Sequence, residues 1–401
     1  MTEHHVSFRH MGPPELEAAL RSARQHTLAL FDALAAAGHD QAAQVPRLSV
    51  LNLPLWELGH IAWFAEWFVL REARSSLPGD AVKPSLLAQG DHWFDSNTVA
   101  HDARWALDLP EPEAIKCYCS EVLERIGEQL ARSPGHDAAL YPYRLVLAHE
   151  DMHGEALLYT LQTLGAAAPA SCATMDADET MATGQLAFAE ASFSCGGEQS
   201  RGFSFDNERP PLPCRLAPFA IDAGLVSNAA YLAFMRAGGY QDPGYWSDAG
   251  RAWLAQQGRS APRYWQRDGA GDGWHTVRFG RRAALEPCAP VRHVSLFEAQ
   301  AYCRWAGRRL PTEQEWEYAA ASRRPGFDWG QLWEWTASGF LPHPGFTADR
   351  YREYSAPYFG SRQSLRGASF ATPARLRSPH FRNFYPPERD DIFVGFRTCA
   401  A

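Results

Sequence analysis

His149 and His153 stand four residues apart in HEDMHGEALLYTL, a segment whose apolar positions recur at helical spacing. On a helix that separation stacks two imidazoles on one face, about one turn apart, close enough to share a metal ion. His60 lies in a second apolar run, among Trp56, Trp63 and Phe64. Side chains from facing helices of a bundle converge on its core, so His60 can complete a three-histidine face. Three neutral imidazoles leave several coordination positions open, which suits iron and oxygen chemistry or a catalytic zinc. Blander readings exist for each residue: an HxxxH pair arises by chance, and a lone histidine among aromatics is often plain core. Glu150, Asp151 and Glu155 read as a solvated face or as hydrogen-bond partners of the ring N–H groups. The letters HEDMH fit the zinc-protease pattern, but nothing downstream continues such a site. A zinc hydrolase and a non-catalytic ligand-binding module remain the competing readings.

Four amphipathic runs must position these groups. The first, opened by Pro14, is ELEAALRSARQHTLALFDALAAAG and closes at Gly38. The second, LWELGHIAWFAEWFVLREA, follows Pro54, and the third, EAIKCYCSEVLERIGEQLAR, ends before Pro134. The fourth, YRLVLAHEDMHGEALLYTLQTLG, ends at Gly165. Together they predict a four-helix bundle over residues 1–165. Residues 166–185, rich in Ala, Thr and Asp, read as a linker. From 186 to 401 short apolar pieces alternate with Gly, Pro and Asn turns, the texture of α+β material with long loops. Only AQAYCRWAG and EQEWEYAAAS look helical there.

Composition narrows the function further. A chain of 401 residues, 46% hydrophobic and 12% aromatic, has room for two or three cored domains. A net charge of −8 argues against a general nucleic-acid or anionic-membrane binder. No apolar run reaches the roughly 20 residues that span a bilayer, and the first residues lack the apolar core of a signal peptide. The eight cysteines form no CxxC pair, which fits a reducing cytoplasm. Small molecules are the expected partners; no protein partner is implied.

Residues 290–320, PVRHVSLFEAQAYCRWAGRRLPTEQEWEYAA, carry a family signal, with LWEWTASGF (332–340), RGASF (366–370) and VGFR (394–397). FDNERP (205–210) and VSNAAYLAF (226–234) add its beginning. Together they resemble the formylglycine-generating-enzyme, or sulfatase-modifying-factor, domain, which implies a C-type-lectin-like fold over 186–401. Trp316, Trp333 and Trp335 then read as core. Formylglycine-generating enzymes carry a cysteine pair just after the RGGSF-like motif. ATPARLRSPHFRN (371–383) has none, which excludes their copper–thiol chemistry as a close analogy.

A DinB-like bundle joined to this domain resembles the sulfoxide-synthase family of ergothioneine biosynthesis. Those are non-haem iron enzymes that use O2 to join sulfur to the imidazole of hercynine, the Nα-trimethylated histidine betaine. The resemblance implies Fe(II) on His60, His149 and His153, with O2 as co-substrate. It maps the family's tyrosine pair onto Tyr351 and Tyr354 of YREYS. Tyr351 becomes the candidate to deliver a proton or hydrogen atom. Tyr354 and Phe384 would wall the trimethylammonium, each aromatic face contributing about 0.5–2 kcal/mol. Asn383 would bond the betaine carboxylate, and Arg389 and Arg104 would meet an anionic or polyhydroxy donor. Two departures bear on that donor. Phe384 and Tyr385 replace the Trp and Asp of the family's Asn-Trp-Asp segment, and Met152 replaces a Gln before the third ligand. Without the carboxylate, γ-glutamyl-cysteine loses a partner for its α-ammonium. The compact length, LPLWELGHIAWFAEWFVLR and WFDSNTVAHDARW resemble the selenoneine synthase branch, which implies a selenosugar donor and a C–Se bond. Formation of a C–S bond with cysteine or γ-glutamyl-cysteine is the alternative. A structural calcium in the C-terminal domain is left open.

Overall fold

Proline in the first turn, where a missing N–H is harmless, opens three of the four long helices. These are α1 (Pro13–Ala36), α2 (Pro54–Ala65) and, after the short α3 (Gly90–Phe94), α4 (Pro112–Leu130). The computed structural model that shows them describes residues 7–172, 181–197, 202–269 and 273–401. The fourth long helix, α5 (Asp137–Leu164), starts six residues before the expected Tyr143 and carries Pro142 inside it. The sequence reading stopped at that proline; the helix absorbs the missing bond in its second turn. Gly165 ends α5 in the left-handed conformation, φ 68°.

Helix α1 packs along α5, and α2 packs against α1, α4 and α5. Every residue of α2 is buried. Its sequence, PLWELGHIAWFA, is apolar nearly all round, so water is excluded from each face. Beyond Ala65 it widens into a π-turn, Glu66–Leu70, a feature found mostly as single bulges at functional sites. Among the described residues, no helix is long and apolar enough to cross a membrane.

The strands of the second half are β1 (Gln185–Phe188), β2 (Ala191–Cys195), β3 (Leu212–Leu216), β4 (Phe219–Asp222), β5 (Trp265–Arg267) and β6 (Trp274–Arg278). Next are β7 (Arg281–Ala284), β8 (Arg308–Arg309), β9 (Trp333–Gly339), β10 (Gln363–Gly367), β11 (Asn383–Tyr385), β12 (Val394–Gly395) and β13 (Cys399–Ala400). They form sheets in the orders β1-β4-β13-β8, β11-β10-β9-β12, β5-β6-β7 and β2-β3. The expected linker reaches into β1 at Gln185, and its residues 173–180 lie outside the described ones. Beside the two expected helices, α8 (Leu296–Trp305) and α9 (Glu313–Ala321), stand two that were not expected, α6 (Asn228–Arg236) and α7 (Asp248–Gln257). Both open on a serine cap, Ser227 and Ser247, whose side chain accepts a backbone N–H of the first turn.

Trp316, Trp333 and Trp335 are core, and each indole N–H is spoken for, by Glu334, Glu155 and the Val294 carbonyl. The Trp333 bond crosses from the second half to α5. The solvated reading of the acidic residues on α5 is overturned: Glu150, Asp151 and Glu155 are all buried. Glu150 accepts two bonds from Arg24 of α1, at 2.7 and 3.1 Å. Asp151 accepts two from Arg375, at 2.8 and 2.5 Å. Glu155 gathers Trp333, Ser369 and Thr372. The helix carrying two of the candidate ligands is therefore bolted to both halves of the chain. Arg9, just before α1, adds a fork onto Glu208 at 2.7 and 2.6 Å.

Candidate metal centre

Helices α2 and α5 face each other, and the gap between them holds the three histidines. One ring nitrogen from each of His60, His149 and His153 lies within 4.8 Å of the others, and no second such cluster occurs among the described residues. The ring centroids are 4.4 to 5.2 Å apart. The Nδ1 of His60 donates to the Phe94 carbonyl at 2.8 Å, and that of His153 to Glu57 Oε1 at 2.6 Å. Those two bonds fix the tautomers and leave each Nε2 lone pair for an ion. His149 has a partner on neither nitrogen although it is buried. Its ring lies flat on Phe64, centroids 3.6 Å apart. An unsatisfied buried polar group costs about 1–3 kcal/mol, and a cation on one ring nitrogen would remove that nitrogen's share of the penalty. Burial holds His60 and His149 well below the usual histidine range, and the neighbouring His153 adds to it. Two buried, neutral imidazoles beside the hydrogen-bonded ring of His153 fit a divalent metal.

The support behind His60 depends on a glycine. A Cβ on Gly59 would sit 2.3 Å from the Phe94 ring, whose residue supplies the carbonyl that orients His60. Gly59→Ala is expected to lower stability by about 1–3 kcal/mol and to weaken metal binding about 10-fold or more. Thermal denaturation and metal titration read the two effects. Unchanged affinity would show that Phe94 moves without disturbing the ligand.

On its other face His60 stacks on Trp56 at 4.7 Å, and the Arg104 guanidinium covers Trp56 at 3.6 Å. Burial pushes Arg104 down to about 10. Arg104 also donates to Asn52.

A cavity of about 860 Å3 opens beside the triad. Met152, Tyr351, Tyr354, Asn383, Phe384, Tyr385 and Arg389 all line it. Arg104 is the exception among the expected substrate contacts, lying behind Trp56 instead of on this wall. The Tyr351 ring centroid is 4.9 Å from Phe64 and 6.1 Å from His149. Burial raises its phenol, which therefore holds its proton at neutral pH. Tyr354 stacks on Phe205 at 4.9 Å and donates its hydroxyl to Met152 Sδ at 3.6 Å, so the sulfur that replaces the resembled family's amide still accepts a weak bond. Phe384 lies over Phe340 at 4.1 Å and near Tyr358 at 5.3 Å. Asn383 turns its Oδ1 to the Phe384 N–H at 2.9 Å. Arg389 commits Nε and Nη2 to Asp391 at 2.7 and 2.8 Å, and its guanidinium lies 5.0 Å from the Tyr385 ring.

Comparison with known proteins adds to this geometry. Residues 174–331 match the family model described as "Sulfatase-modifying factor enzyme 1-like domain". Formylglycine-generating enzyme from Streptomyces coelicolor is 36% identical over 37% of this chain and 50% of its own. Hercynine oxygenase from Mycolicibacterium thermoresistibile is 32% identical, covering 96% of this chain and 94% of that protein. The Mycolicibacterium smegmatis hercynine oxygenase is 31% identical over 94% and 96%. This chain belongs to the hercynine oxygenase family. Its helical N-terminal region and sulfatase-modifying-factor domain are therefore parts of one family architecture, matched almost end to end.

Within this hercynine oxygenase family member, sequence reasoning missed Glu57, the carboxylate behind His153. The signal was present in WELGH: an acid three residues before a candidate ligand lies on the same helical face. Phe64 and Tyr358 were also missed; aromatic composition alone does not say which rings reach the site.

Proposed function

We propose that this chain oxidises hercynine with O2 and joins a chalcogen atom to its imidazole carbon, with a DinB-like bundle supplying the metal ligands. The observation that carries the reading is the His60, His149 and His153 cluster beside a cavity walled by Tyr351, Tyr354 and Phe384. Iron(II) held by those imidazoles would supply one-electron redox chemistry toward O2. The residues of the chain do the rest. Tyr354, Tyr358 and Phe384 offer aromatic faces to a trimethylammonium. Asn383 and Arg389 stand on the same wall for the betaine carboxylate and the donor. Tyr351 keeps its proton at the phenol oxygen, with its ring 6.1 Å from that of His149, and is the chain's proton donor on this side of the cluster. The buried surroundings of α2 keep bulk water from the ligands.

A thiol is the donor we favour, because the full-length relatives are named for hercynine and give no support to selenium. A selenosugar is the second reading. It rests on Phe384 and Tyr385, which stand where the resembled family carries Trp and Asp; Glu353 and Glu388 are the carboxylates on the same cavity wall that a thiol donor's α-ammonium would have to use instead. Anaerobically iron-loaded protein should be given hercynine and air with cysteine, γ-glutamyl-cysteine or a selenosugar in separate reactions. Oxygen consumption dependent on hercynine is expected, with a sulfoxide adduct whose mass is that of hercynine plus thiol plus O2 less one water: the C–H and S–H hydrogens leave with one oxygen atom and the other stays on sulfur. A selenium adduct alone would replace the thiol reading, and oxygen uptake indifferent to hercynine would remove the assignment.

A further inference from the structure

Tyr351 belongs to the second half of the chain, and the three histidines belong to the first. Something must hold the tyrosine loop in register with the helices. Ser76, buried in the segment after the π-turn, makes three bonds to that loop. Its N–H donates to the Arg350 carbonyl at 2.9 Å. Its Oγ accepts from the Arg352 N–H at 3.0 Å and donates to the Glu353 carboxylate. The three contacts bracket Tyr351 on both sides, from a residue 276 positions away from Arg352.

Ser76 is itself tied back to the metal ligand. Its carbonyl accepts from Asn97 Nδ2 at 3.1 Å. The Asn97 N–H donates to Asp95 Oδ1 at 2.9 Å, and the adjoining Phe94 carbonyl takes the His60 N–H. One short segment, 94–97, thus references both the ring of His60 and the clamp on the tyrosine loop. The far end of that loop is anchored within its own half, where Ser355 donates to Asp206 at 2.5 Å.

We infer that Ser76 is a positioning residue for Tyr351, setting the distance between its phenol and the histidine cluster. The inference rests on the function proposed above. A hydroxyl that makes two bonds to neighbouring loop residues removes most of that loop's sliding freedom, and small misplacements of a reacting group are costly in rate.

The test uses full-length, iron-loaded protein with Ser76→Ala, Asn97→Ala and Ser76→Thr. In Ser76→Ala, kcat for hercynine consumption should fall roughly 10- to 100-fold, while KM for hercynine and iron stoichiometry stay at the parent's values. Asn97→Ala should show a smaller loss of the same sign, and Ser76→Thr, which keeps Oγ, should recover most of the rate. Amide exchange gives a readout that needs no turnover: residues 349–356 should exchange faster in Ser76→Ala, with α1 unchanged. Parent-like kcat in both alanine variants, or a matching loss of iron, would overturn the inference. If the parent leaves hercynine untouched, the proposed function falls. The exchange comparison then decides the clamp: unaltered exchange across the loop refutes it.

Discussion

Replacing His149 with phenylalanine is expected to abolish metal binding and turnover while leaving the metal-free fold as stable as before or more so. The ring already lies flat on Phe64, 3.6 Å between centroids, in a fully buried slot. A phenyl ring can keep that stack. What it removes is two nitrogens that have no hydrogen-bond partner. Deleting an unsatisfied buried polar group returns about 1–3 kcal/mol, set against a small cost for fitting a slightly larger ring. Iron stoichiometry by elemental analysis should drop from one ion per chain to background, with activity following it. The metal-free melting temperature should hold or rise. A lower melting temperature would mean that His149 has a structural partner, and retained iron would mean that two histidines and a further group suffice. An imidazole kept in a dry slot without a protein partner makes sense chiefly as a ligand.

The second large effect is on the joint between the halves. Glu155→Ala is expected to lower stability by about 3–5 kcal/mol and the melting temperature by roughly 4–6 °C. Glu155 accepts from the Tyr159 hydroxyl at 2.6 Å, Trp333 Nε1 at 2.8 Å, Ser369 Oγ at 2.6 Å and Thr372 Oγ1 at 2.7 Å. Truncation strands four donors in a buried place, each losing more than its bond was worth in net terms. Exposed Glu121, paired only with Arg125 on the same helix face, is the control, and Glu121→Ala should change stability by no more than about 0.5 kcal/mol. Equal melting temperatures for the two variants would show that water reaches the Glu155 site and replaces the carboxylate. Because Glu155 lies half a turn past His153 on α5, activity should fall along with the fold.

The convergence of the three histidines was legible because a helix converts spacing into direction: HxxxH on one face, and an aromatic-flanked histidine on a partner helix. The second half was legible through its motifs, which also pointed to Tyr351 and Tyr354. Residues that act through long-range pairing were not. Asp151 looks like any surface acid until Arg375 is folded against it, 224 residues away. Ser76 sits in a stretch with no periodicity, and although Asn97 lies inside the quoted WFDSNTVAHDARW, nothing local announces its bond to the Ser76 carbonyl. Arg104 was assigned to the donor by its charge, but the structure spends that charge on the face of Trp56. Pro142 hid the first turn and a half of α5, because a proline is ordinarily read as a boundary.

The buried acids of α5 have a consequence for how the molecule is made. Synthesis runs from the N-terminus, so α5 leaves the ribosome long before Arg375, Trp333, Ser369 and Thr372 exist. Until they arrive, Asp151 and Glu155 lack the donors that satisfy them in the finished fold, and water must take that place. The histidine-bearing helix thus completes its contacts only when residues 178 to 224 positions downstream have been made, so a polypeptide cut short after α5 would carry the histidine cluster without the partners that fix its helix to the second half.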